Sequence, residues 1–248
     1  MLPTTYFISD LHLSAERPDI SDCLFRFLQE QAVQAEALYV LGDLFEAWIG
    51  DDDQSAFNLS VADAFKALAD TGVAVYFIHG NRDFLVRNTF AKQAGFTLLP
   101  EQVVVDLYGT PTLLMHGDEL CTRDVAYQKF RRKARGWWWP RLVLALPLST
   151  RRKIAENGRK TSKQNHAKLS MDIMDVTPQD VVKAMETHQV TRLIHGHTHR
   201  PAIHALTVNG QAAERIVLGD WYDQGSILKV DPNGVELSNQ AFNFSANE

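Results

Sequence analysis

Short apolar runs recur along the chain, and each ends in a polar, glycine-containing cluster. "YFIS" leads to Asp10, "ALYVL" to Gly42-Asp43 and "VAVYFI" to His79-Gly80-Asn81. Further on, "PTLLM" leads to His116-Gly117-Asp118 and "RLI" to "HGHTH". Such runs, rich in β-branched and aromatic residues, have the length and content of buried strands. Between the first three, apolar positions fall at helical spacing. Leu24, Phe27 and Leu28 do so within Ser21 to Ala35, which predicts a helix capped by Ser21. Val61, Ala64, Phe65 and Leu68 form a second stripe that ends at Gly72. Thr177-Pro178 reads as the N-cap and first residue of a helix running to about His188. "IVLGDW" followed by "SILKVDPNGVEL", with its Pro-Asn-Gly turn, predicts a closing antiparallel ribbon.

The rhythm is β-α-β-α-β, then strands without clear helices between them. It implies a layered α/β fold with the polar clusters gathered at the strand C-termini, where open α/β sheets bind ligands. Residues 122–170 break the rhythm, being polar, basic and helix-prone. They read as an inserted helical lid between two core segments, 1–121 and 171–248.

Composition narrows the class. With 248 residues and 45% hydrophobic content, a sizeable core is expected. Two cysteines, Cys23 and Cys121, are too few for a disulfide framework and fit a reducing compartment. Cys23 lies in an apolar helical pattern and reads as a small core residue. "MLPTTYFISDLHL" lacks a basic start and carries Asp10 early, unlike a secretory signal. The apolar run Leu142–Leu148 is too short to cross a bilayer. The expectation is a cytoplasmic protein. A net charge of −5 argues against non-specific nucleic-acid binding, which needs many phosphate-neutralising cations. Against that background, "RRKARGWWWPRLVLALPLSTRRK" (131–153) holds eight Lys or Arg, three consecutive Trp and no acidic residue.

Taken singly, the clusters are weak signals. Together, Asp10, His12, Asp43, Asn81, His116, His197 and His199 all lie at or just after predicted strand ends. Carboxylate, imidazole and amide oxygen ligands without thiolate suit Mn²⁺, Fe²⁺, Zn²⁺ or Mg²⁺. Seven ligands are too many for one tetrahedral ion and suit two ions sharing a carboxylate, the arrangement that clamps both oxygens of a phosphoryl displacement. The order "SDLH", "GDLFE", "GNRD", "HGD", "GHTH" resembles the calcineurin-like metallophosphoesterase superfamily. That resemblance implies a four-layer α/β/β/α sandwich. It also implies one ion held by Asp10, His12, Asp43 and His199, and another by Asp43, Asn81, His116 and His197, with Asp43 bridging.

One position narrows the substrate. Many members of the superfamily have His after the Gly-Asn pair, where it protonates the leaving oxygen; here it is Arg82. Arg, with a pKa above about 12, is no proton donor, but it clamps phosphate oxygens and stabilises transition-state charge. A leaving phosphate, whose second pKa is about 6, does not need the acid, so Arg82 favours a pyrophosphate substrate.

The wider stretches "LYVLGDLFEAWIGDDD", "IHGNRDFL", "LMHGDELCTRD" and "LIHGHTHRPAIH" resemble the UDP-2,3-diacylglucosamine pyrophosphohydrolases of lipid A biosynthesis. The resemblance implies two Mn²⁺ ions and water attack at the α-phosphorus, releasing UMP and 2,3-diacylglucosamine 1-phosphate. It implies Arg82 and Asp43 as catalytic residues, and substrate contacts at Asn81, Arg82, Asp124, Ser162 and His197. The pattern frays at His166, where Asn is common, and at Leu169, where the expected Lys falls one residue early on Lys168.

Some nearby residues read as supporting. Asp51, Asp52 and Asp53 suit a solvated acidic turn, Glu46 and Trp48 position a loop, and Asp118 orients His116 or nearby backbone. Asp220 and Trp221 in "LGDW" are left outside the site. The tryptophans flanked by Arg and Lys have the composition that partitions to anionic headgroups. The lid is therefore expected to divide its apolar surface between acyl chains and the inner face of the inner membrane, where the protein would sit peripherally. No nucleic acid and no obligate protein partner are expected. Two other readings stay open: a nuclease or nucleotide phosphodiesterase on the same metal pair, and a metal-free scaffold.

Overall fold

The computed structural model describes residues 2–166 and 175–242, with the side chains of all but 162–166. The first three apolar runs are parallel strands: β1 (Thr5–Ile8), β2 (Ala37–Val40) and β3 (Ala74–Phe77). β4 (Phe96–Leu98) extends them in parallel. On the other side, β10 (Gln224–Asp231) pairs antiparallel with β1 and turns back into β11 (Gly234–Ala241), the predicted ribbon. The resulting six-stranded sheet has the order β11-β10-β1-β2-β3-β4. A second sheet contains β5 (Gln102–Leu107), β6 (Thr110–Met115), β7 (Arg192–His195), β8 (Ala202–Val208) and β9 (Gln211–Val217), in the order β5-β6-β7-β9-β8. "IVLGDW" therefore divides: its strand joins this second sheet, while the ribbon joins the first.

The helices among the described residues are α1 (Pro18–Glu30), α2 (Ala56–Asp70), α3 (Asn88–Ala94), α4 (Val125–Ala134), α5 (Trp139–Leu144), α6 (Leu148–His166) and α7 (Pro178–His188). The two sheets pack face to face through Phe7, Tyr39, Leu41 and Ile78 against Leu107, Leu114, Ile194 and Ile216. α1, α2 and α3 bury Leu24, Phe27, Phe65 and Phe90 against the outer face of the first sheet. α7 buries Val181 and Met185 on the second, beside Leu113 and Leu193. The layers are therefore α/β/β/α, as expected. Cys23 and Cys121 are both buried and free of disulfides.

Three local details differ from the sequence reading. α1 starts at Pro18, and Ser21 is buried inside it rather than capping it. Pro18 brings a φ already set for the helix and Asp19 complements the N-terminal dipole, so the helix begins before its apolar stripe does. α3 has no periodic signal of its own. Its N-terminal amides are capped from a distance: Asp51 Oδ1 accepts from Arg87 N (3.0 Å) and Oδ2 from Phe90 N (2.9 Å). The acidic turn is accordingly not simply solvated. Asp52 pairs with Arg151 and Asp53 with Arg152, both on α6.

The helices between residues 125 and 166 are fastened to the core at both ends. At one end, Asp118, almost fully buried, accepts from Tyr127 Oη (2.5 Å) and Arg131 Nε (2.8 Å) of α4. At the other, Arg151 reaches Asp52 and the carbonyl of Ile49 (2.7 Å). The three tryptophans separate. Trp139 packs on Phe84 and Phe130, with ring centroids 6.0 and 6.3 Å away, whereas Trp137 and Trp138 are 76% and 43% exposed.

Candidate metal centre

The loops after β1, β2, β3, β6 and β7 converge on one edge of the paired sheets. Backbone bonds fasten them together: Asp10 N donates to Gly42 O (3.0 Å) and His12 N to Asp43 O (3.0 Å). Asp83, wholly buried, accepts from Leu44 N and Gly80 N, both at 2.7 Å, and so joins the Asp43 loop to the Asn81 loop. The approach is too close for side chains at two positions. A Cβ on Gly80 would collide with the Asp43 carboxylate, and one on Gly196 with Ser9 and Asp10.

Two groups of ligand atoms result, each within 4.8 Å: Asp10, His12 and His199, and Asp10, Asp43 and His116. Asp10 has an atom in each group, whereas the expected assignment set it at one ion. Asp43 lies between the histidines, with Oδ2 3.9 Å from His12 Nε2 and Oδ1 3.8 Å from His116 Nε2. Asn81 Oδ1 is 3.0 Å from His116 Nε2. His197 stands beside the second group rather than within it. Its ring centroid is 5.0 Å from that of His116, and its backbone N donates to Asp10 Oδ2 (2.8 Å). Five of the seven residues, Asp10, His12, Asp43, His197 and His199, have φ between +50° and +69°. Non-glycine residues adopt this left-handed region at a cost of about 1–3 kcal/mol each, and it clusters at functional sites.

The donor set fits divalent cations. Asp10 Oδ1 is buried without a hydrogen-bond partner among the described residues. His12 and His199 bring their Nε2 atoms to 3.4 Å, a contact suited to two ligands of one ion. His116 Nδ1 donates to Leu41 O (2.8 Å), which leaves Nε2 as the ligating atom.

The family description "Calcineurin-like phosphoesterase" matches residues 3–201. The chain belongs to the calcineurin-like phosphoesterase family. It is 52% identical over 239 residues to a protein named UDP-2,3-diacylglucosamine hydrolase from Photobacterium profundum, spanning 96% of this chain and 98% of that one. Proteins of the same name from Klebsiella pneumoniae and Salmonella arizonae are 57% and 56% identical over 94% of this chain and 97% of theirs.

In this phosphoesterase the electrostatics are those of a site built to hold positive charge. Burial alone would raise the Asp10 carboxyl, but contact with His199, with His116 and His12 behind it, holds it well below the usual carboxylate range. Burial would lower His199; Asp10 and Asp220 instead push it up to about 10. Burial, reinforced by the His116 charge, takes His197 down to about 3. Burial raises Asp83 to about 7, and the charge of Asp43 adds to the effect. Divalent cations would take over from protons as the counter-charge to Asp10 and Asp43.

The remaining predicted residues are distributed as follows. Arg82 donates its backbone N to Asp43 Oδ1 (2.8 Å), and its buried Nε has no hydrogen-bond partner among the described residues. Asp124 caps α4 by accepting from Tyr127 N (2.8 Å). Tyr127 stacks on His197 with centroids 6.1 Å apart. Lys168 and the side chains of Ser162 and His166 lie outside what the structure describes. Asp118 turns its carboxylate to Tyr127 and Arg131 rather than orienting His116 by contact.

Four contributors were not assigned to the ligand cluster from sequence. Asp220 Oδ2 lies 3.0 Å from His199 Nδ1, and Glu46 Oε2 lies 3.4 Å from His12 Nδ1. Tyr222 stacks on His12 at 5.3 Å, and Asp83 ties two of the loops. Asp220 carried a usable signal: "VLGD" is an apolar run ending in Gly-Asp, as at Asp43 and Asp118.

Proposed function

We propose that this phosphoesterase hydrolyses the pyrophosphate bond of UDP-2,3-diacylglucosamine, giving UMP and 2,3-diacylglucosamine 1-phosphate, with two Mn²⁺ ions at the clustered ligands. The observation that supports the reading is Arg82, whose backbone N donates to Asp43 Oδ1 and whose buried Nε has no hydrogen-bond partner among the described residues, at the sequence position where many members of the superfamily carry a leaving-group acid. Near-full-length relatives named UDP-2,3-diacylglucosamine hydrolase support the substrate.

Asp10, His12, Asp43 and His199 would hold one ion, and Asp43, Asn81, His116 and His197 the other. Bound divalent ions supply Lewis-acid polarisation of phosphoryl oxygens and a hydroxide-like nucleophile at neutral pH. Arg82 donates to the phosphoryl oxygens as charge develops. The departing group is a phosphate and leaves without a proton from the protein. Asn81, Arg82, Asp124 and His197 would contact the substrate, with Ser162, His166 and Lys168 as further candidate contacts.

The lid would meet the inner face of the inner membrane. Exposed Trp137, Trp138 and Leu142 lie among cations, with Arg141 5.7 Å from the Trp137 ring and Lys133 5.9 Å from that of Trp138. Among the described residues, no helix is long and apolar enough to cross a membrane.

The test is Mn²⁺-dependent UMP release from the diacyl substrate in ¹⁸O water. Label in UMP and loss of release in Asp43→Ala are expected. Label in the lipid phosphate would overturn attack at the α-phosphorus, and no release would overturn the substrate.

A further inference from the structure

A cavity of about 750 Å³ opens beside the ligand cluster, between the loop after β1 and α6. This volume lies within the roughly 300–1,000 Å³ of small-molecule sites. His12 and Arg82 form its inner end, while Arg17, Arg159 and Lys160 line its walls. Four permanent cations therefore face two carboxylates, Glu46 and Glu156. Arg17 is itself paired with Asp19, so one positive charge remains in surplus, the sign that a phosphate group requires. Among the described residues Ile20 is the one aliphatic side chain in its lining, which offers little to acyl chains. Apolar surface lies elsewhere: two residues beyond Arg82, Phe84 packs on Trp139, and Phe130 of α4 packs there too.

Tyr222 completes the cavity. One face of its ring stacks on His12, with an interplanar angle of 5°, yet the residue remains 40% exposed. Arg17 fixes this wall, donating to Tyr222 O (2.7 Å) while paired with Asp19. A flat, exposed aromatic ring beside a cationic wall is what a nucleobase and its phosphate need together.

Resting on the function proposed above, we infer that this cavity is the nucleoside monophosphate subsite. Arg82 meets the phosphate at the ligand cluster, Arg159 and Lys160 hold the phosphate and ribose, and Tyr222 stacks the base. The substrate would then straddle the cluster, with its nucleotide at the His12 end and its lipid at the Phe84 end.

Calorimetric titration of the Mn²⁺-loaded protein with UMP, ribose 5-phosphate and 2,3-diacylglucosamine 1-phosphate tests the assignment. The double variant R159A/K160A should raise the Kd for UMP and ribose 5-phosphate about tenfold. It should change that for the lipid phosphate by less than about twofold. Tyr222→Ala should weaken UMP but not ribose 5-phosphate. UMP affinity unchanged in both variants, or loss of lipid phosphate instead of UMP, would overturn the subsite. Lys160 is exposed and the Arg159 side chain, 3.9 Å from Glu46, is half-exposed, so neither substitution opens the core, and a matched Tm checks this. The outcomes separate from those of the function assay. Wild type that releases UMP while the variants bind it normally refutes the subsite alone. Wild type that releases none, while the variants lose UMP binding, refutes the substrate alone.

Discussion

At His199 the two ring nitrogens face different partners: Nε2 lies 3.3 Å from Asp10 Oδ1, and Nδ1 lies 3.0 Å from Asp220 Oδ2. A carboxylate behind a ligating imidazole fixes its orientation and raises its basicity, and losing such a partner costs about 10–100-fold in metal affinity. Asp220→Asn should therefore weaken Mn²⁺ binding by about that factor, read from the free-ion electron paramagnetic resonance signal during titration. A variant that binds Mn²⁺ as wild type does would show that Asp220 merely ends a strand. His116 is backed differently, by the neutral carbonyl of Leu41, so the two ends of the cluster differ in charge behind their histidines. The seven ligand candidates were legible because each follows an apolar run. The left-handed backbone at five of them was not, since it arises where loops distant in sequence meet. The bond from Asp10 N to Gly42 O and that from His12 N to Asp43 O are examples.

α4 shows how one element is set by a residue outside it. Asp118, 1% exposed, is satisfied by Tyr127 and Arg131, and Arg131 also binds Glu101 and Glu119 (both 2.9 Å). Removing one partner of a buried ion pair strands the other charge, at a cost of about 3–5 kcal/mol. Arg131→Ala should lower Tm by roughly 10 °C, taking about 2–4 °C per kcal/mol for a chain of this size. A shift of about 1 °C in a thermal melt would mean that Tyr127 and Arg135, the latter 3.7 Å from Asp118 Oδ2, suffice. Strand and helix legibility divides along the same line. β1, β2, β3, α2 and α7 carry their own periodicity or caps, including Ser55, which accepts from Asn58 N at the start of α2 (3.2 Å). α3 takes its cap from Asp51, far away in sequence, and α4 and α6 take their footing from Asp118 and Asp52. No pattern within those segments could announce such partners.

Over the whole molecule, charge is arranged by face rather than by average. The chain carries a net charge of −5, yet residues 131–153 contain no acid, and their exposed apolar residues include Trp137, Trp138 and Leu142. Trp139, though adjacent in sequence, packs inward on Phe84 and is committed to the fold. The run of tryptophans thus joins one residue that ties α5 to Phe84 to two that face solvent. Exposed substitutions of this kind change stability by less than about 0.5 kcal/mol, so the double variant W137S/W138S should melt as wild type does. It should lose binding to vesicles containing anionic phospholipid, because it removes the apolar anchors while keeping the cations. Each Lys or Arg near an anionic surface contributes about 1 kcal/mol, and shortening the Debye length from about 10 Å at 0.1 M to about 3 Å at 1 M salt screens that contribution. Cosedimentation of the wild type should therefore fall steeply with salt and be weak on zwitterionic vesicles. A W137S/W138S protein that sediments as wild type does, at matched Tm, would exclude these residues as the membrane contact.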